Sequence, residues 1–152
     1  MKISKRGEYA LKCLMALSFN YGKGILQLNE ISRREEIPYK FLEQIMIVLK
    51  QGKIVRSQKG KHGGYELSRP PEEISLGELI RLIDGPLAPM GDERELKRLV
   101  KEEERHAGLY AVLLDVRNAC AEILDQQTLA SICEKTLEMR SEGDAEAYMY
   151  FI

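Results

Sequence analysis

The sequence predicts a mainly α-helical fold with one small β-hairpin, an α+β class, and three observations lead to it. In several segments apolar residues recur every three or four positions, which is the spacing of amphipathic helices. The segment KIVRSQKGKHGGYELS instead alternates apolar and polar residues around a glycine-rich turn, which is typical of a hairpin. A long, strongly apolar helix is predicted in the second half of the chain. With 152 residues, 44% of them hydrophobic, the chain can bury one ordinary core.

The first half of the chain predicts three helices. Ser4 to about Tyr21 forms the first helix, which GKG ends. Its apolar stripe consists of Ala10, Leu14, Leu17 and Tyr21, with Cys13 beside it. LNEISRREEI predicts a short second helix, and after a tight turn Pro38 opens a third, PYKFLEQIMIVLKQG, which ends at Gly52. Two short helices in tandem favour a helix-turn-helix.

The third helix has one apolar and one polar face. The face predicted to point inward holds Phe41, Leu42, Ile45, Val48 and Leu49. The face predicted to point outward holds Tyr39, Lys40, Glu43, Gln44 and Lys50.

The predicted hairpin follows this helix directly. Its strands contain Ile54 and Arg56 on one side and Tyr65 and Leu67 on the other. Its tip is formed by Lys59, Gly60, Lys61, His62, Gly63 and Gly64. Glycines let a backbone approach another surface closely and lysines neutralise phosphates, so in this position the hairpin is typical of the wing of a winged helix. An ordinary hairpin turn, in which Gly and Lys are also common, is the alternative.

The charge of the chain is distributed unevenly. The whole chain carries a formal net charge of −1, but residues 1–69 contain 14 Lys and Arg against six Asp and Glu, whereas residues 70–152 contain nine against 18. The first half therefore suits a polyanion and the second half repels one. Chance scatter of charges in a short chain is the alternative explanation.

The second half of the chain is predicted to form two helices with different roles. SLGELIRLID starts with Ser75 and Glu78 in capping-box spacing, and its apolar stripe should pack on the first three helices. After Gly85 and Pro86 comes the long helix HAGLYAVLLDVRNACAEILDQ, whose apolar seam needs a partner. The seam consists of Leu109, Val112, Val116, Ala119 and Ile123, widened by Leu113, Cys120 and Leu124. Pairing with a second copy and burial inside the same chain would both satisfy it.

Several classes of protein are disfavoured. The sequence has no GxGxxG, P-loop or HExxH motif and no set of nucleophile, histidine and acid, with only His62 and His106 available, so no catalytic residue is predicted. Cys13, Cys120 and Cys133 are too few and too far apart for a disulfide framework or a metal site. No apolar run approaches a membrane span and the N-terminus resembles a signal peptide only weakly, so we expect a cytoplasmic protein without a metal or cofactor.

Three segments of the chain carry a family resemblance. They are MKISKRGEYAL, LEQIMIVLKQGKIVRSQKGKHGGYELSRPPEEISLGELIRLIDGP and LLDVRNACAEILDQQTLASIC. Together they resemble the Rrf-two-type winged-helix transcription regulators, a bacterial family whose members control iron–sulfur assembly, nitric oxide responses and cysteine metabolism. The most specific part is FLEQI joined to the GGY hairpin. The resemblance implies a winged helix-turn-helix DNA-binding domain in 1–84, a linker loop in 85–106, a dimerisation helix and a following helix in 107–140, and a C-terminal tail in 141–152.

The resemblance implies roles for the outward-facing residues. Glu43 and Gln44 would read bases in the major groove, where Gln pairs with adenine and Glu accepts from cytosine. Lys59 would point toward the minor groove, where the family often has Arg. The other implied DNA contacts are Lys2, Lys5, Arg6, Tyr39, Lys40, Lys61, His62, Gly63 and Gly64.

The resemblance also implies an antiparallel homodimer formed by the long helix. A two-fold dimer presents two winged helices and therefore reads a palindromic operator in double-stranded DNA. The implied interface residues are Leu109, Val112, Leu113, Val116, Ala119, Cys120 and Ile123.

The loop that holds an iron–sulfur cluster in some family members departs from their pattern here. Those members carry three closely spaced cysteines, whereas PLAPMGDERELKRLVKEEERHAG contains none. Glu8 lies where some members supply an acidic ligand, but one carboxylate cannot hold a cluster. The resemblance is therefore closest to the family's cluster-less repressor of cysteine metabolism. A redox or iron–sulfur-responsive regulator of the same family, with non-standard ligands, is the alternative.

The chain ends in AEAYMYFI, and this tail also resembles that repressor. The resemblance implies that Tyr148, Tyr150, Phe151 and Ile152 bind cysteine synthase, whose active site accepts a C-terminal isoleucine. Backbone N–H groups can hold a chain-terminal carboxylate while side chains fill adjacent pockets. The alternative is that the same aromatic residues fold back onto the dimer as an edge strand. The sequence thus predicts a DNA-binding repressor of cysteine or sulfur metabolism genes that is controlled through its tail.

Overall fold

The chain folds into seven α-helices and one two-stranded antiparallel sheet within the part that this computed structural model describes, residues 2–87 and 92–150. Side chains are described as far as residue 143. The elements are α1 (Lys5–Phe19), α2 (Leu28–Arg34), α3 (Tyr39–Gln51), β1 (Val55–Gln58), β2 (Gly64–Leu67), α4 (Leu76–Asp84), α5 (Glu93–Glu102), α6 (Ala107–Gln126) and α7 (Leu129–Tyr150). We call the part from α1 to α4 the head.

The first helix is fixed at its N-terminal end. The Ser4 side chain caps α1 by accepting a hydrogen bond from the Gly7 N–H at 2.9 Å. The Ser4 N–H in turn donates to the Asp84 carboxylate at 2.9 Å, and the Ser4 hydroxyl hydrogen-bonds to the same group. The start of α1 is thereby joined to the end of α4. The helix ends at Phe19, so Tyr21 lies beyond it and is exposed, which corrects its placement on the apolar stripe.

The turn between α2 and α3 is held by hydrogen bonds of Ser32 and Ile37. The Ile37 N–H donates to the Ser32 carbonyl at 3.0 Å, and the Ser32 hydroxyl donates to the Ile37 carbonyl at 2.6 Å. Between them Glu36 has a φ of 52°, the left-handed conformation that a tight turn requires. These two helices form the predicted helix-turn-helix.

The buried face of α3 differs in part from the predicted one. Leu42, Ile45 and Leu49 are buried as expected, and Met46, 1% exposed, is buried with them. Phe41 is wrongly predicted as inward, since it is 39% exposed and its ring packs edge-on against Tyr9 with ring centres 5.4 Å apart. Val48 is only half-buried. The reason is geometric, because positions 42, 45, 46 and 49 lie on a single face of the helix and positions 41 and 48 lie at the edge of that face.

The hairpin pairs Val55 with Leu67 and Gln58 with Gly64. It also pairs with the segment before α2, because the Leu26 N–H donates to the Tyr65 carbonyl at 2.9 Å and the Tyr65 N–H donates to the Leu26 carbonyl at 2.8 Å. Gly64, predicted in the tip, is the first residue of β2. The hairpin is therefore attached to the helix-turn-helix by backbone hydrogen bonds as well as by the chain.

The main core lies inside the head and includes one residue of α7. It contains Ala10, Cys13, Leu14, Leu17, Leu26, Ile31, Ile37, Leu42, Ile45, Met46, Leu49, Ile54, Val55, Leu67, Ile74, Leu79 and Leu129. Burying a side chain of the Leu, Ile or Met size contributes about 1.5–3 kcal/mol. The N–H of Leu129 also donates to the Ile74 carbonyl at 2.9 Å, and the Leu76 N–H donates to the Gln127 carbonyl at 2.7 Å. The corner between α6 and α7 is thus bonded to the segment that leads into α4.

The predicted linker loop 85–106 contains a helix that the sequence interpretation missed. Asp92 caps α5 by accepting from the Glu95 N–H at 2.9 Å, and Leu96 is fully buried against α6. Arg117 of α6 lies 3.3 Å from the Glu93 carboxylate, which links the two helices. The segment that replaces the cluster loop of some family members is therefore partly a packed helix.

The long helix α6 is bound to the head along one face only. Arg81 of α4 donates two hydrogen bonds to the Asp125 carboxylate of α6, at 2.6 and 2.9 Å. We call the side of α6 that faces α4 in this way its inner side. The outer side carries large apolar residues, of which Val112 is 59% and Ile123 is 63% exposed. Leu109, Val116 and Ala119 are also exposed, whereas Leu113, Cys120 and Leu124 are half-buried.

The helix α7 continues through Tyr150, so residues 141–150 of the predicted tail are helical and not a strand. Phe151 and Ile152 lie outside the described residues. Of the helices that the structure describes, none has both the length and the apolar character needed to cross a membrane.

Candidate nucleic-acid interface

A cleft of about 700 Å³ lies between α2, α3 and the hairpin. We call it the reading cleft. Its walls are formed by Gln27, Leu28, Asn29, Tyr39, Glu43, Ile47, Lys50, Ser57, Gln58, Lys59, Gly60, Lys61, Gly63, Gly64 and Tyr65. One wall is therefore a helix surface and the other is the basic hairpin.

The α3 wall of the cleft is a single stripe of side chains. It consists of Tyr39, Glu43, Ile47 and Lys50, spaced four, four and three residues apart. Because this spacing keeps side chains on one face of a helix, all four project into the cleft together. All four are exposed, and the opposite face of α3 lies in the head core.

The hairpin wall depends on close backbone contacts at two glycines. A Cβ atom on Gly63 would lie 2.3 Å from the Gln58 carbonyl oxygen, and one on Gly64 would lie 2.3 Å from the Leu26 carbonyl oxygen. Real Cβ atoms do not approach other atoms so closely, so glycine is required at both positions. The two glycines were predicted as DNA contacts, and their geometry gives them a further role in closing the hairpin tip onto β1 and in seating β2 against Leu26.

The reading cleft is electropositive. Its lining contains three lysines, Lys50, Lys59 and Lys61, against the single carboxylate of Glu43. None of these lysines forms an ion pair with a carboxylate in the described ranges 2–87 and 92–150. Unpaired lysines around an open groove are suited to the phosphates of a nucleic acid, which they neutralise with release of counterions.

Tyr65 supplies a neutral polar group to the same cleft. Burial raises the pKa of the Tyr65 hydroxyl, and the neighbouring Tyr39 and Glu43 raise it further. The hydroxyl therefore stays protonated at neutral pH and can both donate and accept hydrogen bonds. The sequence pattern predicts only that Tyr65 lies on a strand and gives it no functional role.

The structure brings together only part of the predicted DNA-contact set. Tyr39, Glu43, Lys59, Lys61, Gly63 and Gly64 line the reading cleft. Lys40 and Gln44 are exposed on α3 beside the cleft, and His62 is exposed at the hairpin tip. Lys2, Lys5 and Arg6 are exposed at or just before the start of α1 and do not line the cleft.

Lys5 differs from the lysines of the cleft because its charge is already compensated. Its ammonium group lies 3.0 Å from the Glu8 carboxylate and 4.7 Å from the centre of the Tyr9 ring. Glu8 also pairs with Lys12 at 3.0 Å. Hydrogen bonds from Lys5 and then Lys12 lower the pKa of Glu8, so the carboxylate stays charged near neutral pH. Its two lysine partners leave Glu8 engaged within its own helix.

Several cleft residues were missed from the sequence. Ile47 belongs to the stripe of Tyr39 and Glu43 and could have been found by extending that spacing one turn further. Gln27, Asn29, Ser57 and Gln58 could not, because they reach the cleft only through the pairing of Leu26 with Tyr65. That pairing joins parts of the chain that lie far apart in sequence.

The three cysteines do not form a common site. Cys13 is fully buried in the core, and burial followed by the charge of Glu35 raises the pKa of its thiol far above the usual value. Cys133 is half-buried with its sulfur 4.0 Å from that of Met15, and burial raises its pKa as well. Cys120 lies on α6. In the described part of the chain no three His, Cys, Asp or Glu side chains are grouped to hold a metal, and these separated thiols do not fit the thiolate set of an iron–sulfur cluster.

An exposed α3 after a tight turn, beside a basic hairpin, defines a winged-helix DNA-binding protein. Residues 3–135 match the Rrf2 family, described as iron-dependent transcriptional regulators. The chain belongs to this family, which confirms the resemblance carried by its sequence motifs. It is accordingly a transcription regulator and not an enzyme.

Individual relatives agree with this assignment. The chain is 32% identical to the HTH-type transcriptional regulator CymR of Bacillus subtilis, in a match that covers all of both chains. The solved structure of CymR (YrzC), the global cysteine regulator of B. subtilis, matches with a TM-score of 0.74 at 28% identity and covers 89% of this chain and 98% of that one. T. potens IscR matches with a TM-score of 0.69 at 28% identity, covering 90% and 88%. The predicted winged-helix fold is confirmed.

We expect Gly64→Ala to weaken both the fold and DNA binding. The added Cβ would meet the Leu26 carbonyl oxygen and push β2 away from it, which should destabilise the protein by about 1–3 kcal/mol. Thermal unfolding by circular dichroism and fluorescence anisotropy with labelled duplex DNA measure the two effects. Gly143→Ala on α7 is the matched control, because no atom of the described residues lies within 4 Å of its added Cβ, and it should keep or slightly raise the melting temperature. If Gly64→Ala melts and binds DNA like the wild type, glycine is not required at this position.

Proposed function

We propose that this protein is a homodimeric repressor that binds a palindromic operator upstream of cysteine or sulfur metabolism genes. The observation that carries the proposal is the reading cleft, in which an exposed stripe of α3 faces the basic hairpin. A recognition helix of this kind enters the major groove, and the wing follows the adjacent backbone or minor groove. One face of the head thus supplies both base contacts and phosphate contacts.

The roles of single residues follow from their chemistry and exposure. Glu43 and Gln44 are exposed near the N-terminal end of α3, the end from which helix-turn-helix proteins contact base edges. A glutamate accepts a hydrogen bond from cytosine N4, and a glutamine pairs with adenine. Lys59 and Lys61 extend from the wing as exposed cations and would neutralise phosphates or enter the minor groove.

The dimer rests on the outer face of α6. Exposed Leu109, Val112, Val116 and Ile123 form an apolar stripe along a helix of 20 residues, which is about 30 Å long. Such a stripe is covered when two helices pair, and a two-fold antiparallel pair would place the two heads at opposite ends. Ala119 and the half-buried Leu113 and Cys120 lie along the same contact.

The link to cysteine metabolism rests on similarity to CymR along the whole chain and on the terminal segment. We assign the terminal Tyr148, Tyr150, Phe151 and Ile152 to binding of cysteine synthase. The helix α7 reaches Tyr150, so it leads directly into the segment that holds Phe151 and Ile152. An enzyme that binds the carboxylate of an amino acid has backbone donors suited to that chain end.

We expect Glu43→Ala and Lys59→Ala to reduce operator affinity in different ways. Loss of the Glu43 carboxylate should cost about 1–3 kcal/mol and relax the preference for one base pair. Loss of Lys59 should weaken binding to every duplex and reduce the slope of log affinity against log salt by about 0.9 for each wing, or about 1.8 for the dimer. Gel shifts with upstream fragments from the source genome, repeated over a range of salt, measure both.

Lys101→Ala is the matched control for that experiment, because Lys101 is an exposed lysine on α5 outside the reading cleft. It should leave the affinity and the salt slope nearly unchanged. If Lys59→Ala and Glu43→Ala bind DNA as well as this control, the reading cleft is not the DNA-binding surface.

We expect deletion of Ile152 to abolish binding to cysteine synthase while leaving operator binding intact. The deletion moves the terminal carboxylate by one residue and removes the side chain that would fill the adjacent pocket. Calorimetry with purified synthase and gel shifts with DNA measure the two activities on the same preparation. Adding one glycine after Ile152 keeps the side chain but displaces the carboxylate, and it should also abolish binding to the synthase. Equal binding of all three proteins to the synthase would disprove docking through the tail.

A further inference from the structure

Ile47 is an exposed apolar side chain in the middle of a polar stripe. It is 48% exposed, and its neighbours on the α3 wall of the reading cleft are Tyr39, Glu43 and Lys50. The head core does not account for it, since the buried face of α3 is completed by Leu42, Ile45, Met46 and Leu49. A contact with the molecule that binds in the cleft would explain why an apolar side chain is exposed there.

The chemical groups exposed in a major groove limit which contacts Ile47 can make. Groove edges of guanine, adenine and cytosine present hydrogen-bonding groups, and an aliphatic side chain placed on them would remove water without replacing its hydrogen bonds. The apolar group that a major groove offers is the methyl group on C5 of a pyrimidine, which thymine carries. Ile47 has the matching chemistry and lies where the stripe meets the groove.

The position of Ile47 along α3 also fits a base contact. It follows Glu43 by four residues, which is about 6 Å along the helix axis. Successive bases of one strand are about 3.4 Å apart, so Ile47 would reach a base one or two steps from the base that Glu43 reads. Lys50, one turn further on, would then reach toward the phosphates at the edge of the groove.

We infer that Ile47 determines operator specificity by contacting the C5 methyl group of a thymine in each half-site. The inference rests on the proposed function, because it requires that α3 lies in the major groove. It adds an apolar contact to a surface whose other predicted contacts are all polar. It also assigns a role to a residue that neither the core nor the charge pattern explains.

The test replaces each thymine of a bound operator in turn by deoxyuridine, which lacks only the C5 methyl group. For the wild-type dimer one thymine in each half-site should be sensitive. Losing one buried methyl contact should weaken binding about four-fold, and losing both of a symmetrical pair about fifteen-fold. Ile47→Ala removes the contact in both half-sites, so it should bind the unmodified operator about fifteen-fold more weakly and should show no further loss with deoxyuridine. Fluorescence anisotropy at fixed salt gives each affinity.

Lys50→Ala is the control from the same stripe. It should weaken binding to all duplexes but keep the full deoxyuridine effect, because it changes a cation and not the apolar contact. Circular dichroism establishes that Ile47→Ala, at an exposed position, is folded. A parallel scan with 5-methylcytosine at each cytosine separates a thymine methyl group from that of a methylated cytosine, and an effect there without any at thymine would overturn the assignment.

Two further outcomes would also overturn it. These are a wild-type protein that is insensitive to deoxyuridine at every thymine, and an Ile47→Ala variant that loses as much affinity with deoxyuridine as the wild type does. Both require a protein that binds the operator, so they contradict the role of Ile47 and leave DNA binding standing. A protein that binds no upstream fragment at all would instead contradict the proposed function itself.

Discussion

Two backbone hydrogen bonds between Leu26 and Tyr65 hold the hairpin against the helix-turn-helix, and the reading cleft exists because of them. The pairing is possible because Gly64, the residue before Tyr65, has no Cβ to meet the Leu26 carbonyl oxygen. An isolated two-stranded hairpin is marginally stable in water, so this third pairing also supports the sheet. It sets the separation of the Lys59 and Lys61 wall from the α3 stripe, and so decides which groups a duplex can meet at the same time.

The C-terminal half packs against this head and is not joined to it by the chain alone. Leu129 at the start of α7 is buried in the head core, and its N–H bonds to the Ile74 carbonyl. The Arg81–Asp125 pair joins α4 to α6 on the inner side, which leaves the outer apolar stripe available. If that stripe forms the dimer, the packing of α4 on α6 sets where each head lies, and with it each reading cleft. The distance between the two half-sites of the operator would then be set by this packing.

The sequence predicts the elements whose signals are local. Periodic apolar residues place α1, α3 and α6, the capping box that begins at Ser75 marks the start of α4, and the GG tip marks the hairpin. The sequence misses α5 because only Leu96 of that charged helix is fully buried, so the apolar stripe is too sparse to stand out. It also misplaces Phe41, since an aromatic residue at the edge of a buried face can pack on Tyr9 and stay exposed.

Pairing between distant parts of the chain limits how much of the candidate site can be predicted from the sequence. Glu43, Lys59 and Lys61 are found from sequence because they lie on elements with clear local patterns. Gln27, Asn29, Ser57 and Gln58 join them only through the contact of Leu26 with β2, which no local pattern reveals. Ile47 was overlooked for a different reason, because an apolar residue on a helix is ordinarily assigned to the core.

DNA binding as proposed here requires that α3 and the hairpin form one surface. The most direct measurement is a titration of isotope-labelled protein with operator duplex, followed by the NMR shifts of backbone amides. We expect the largest shifts to fall together on residues 39–50 and 57–65, at the same ratio of DNA to protein, with little change on α5. Shifts centred on α5 with an unchanged hairpin and α3 would contradict it.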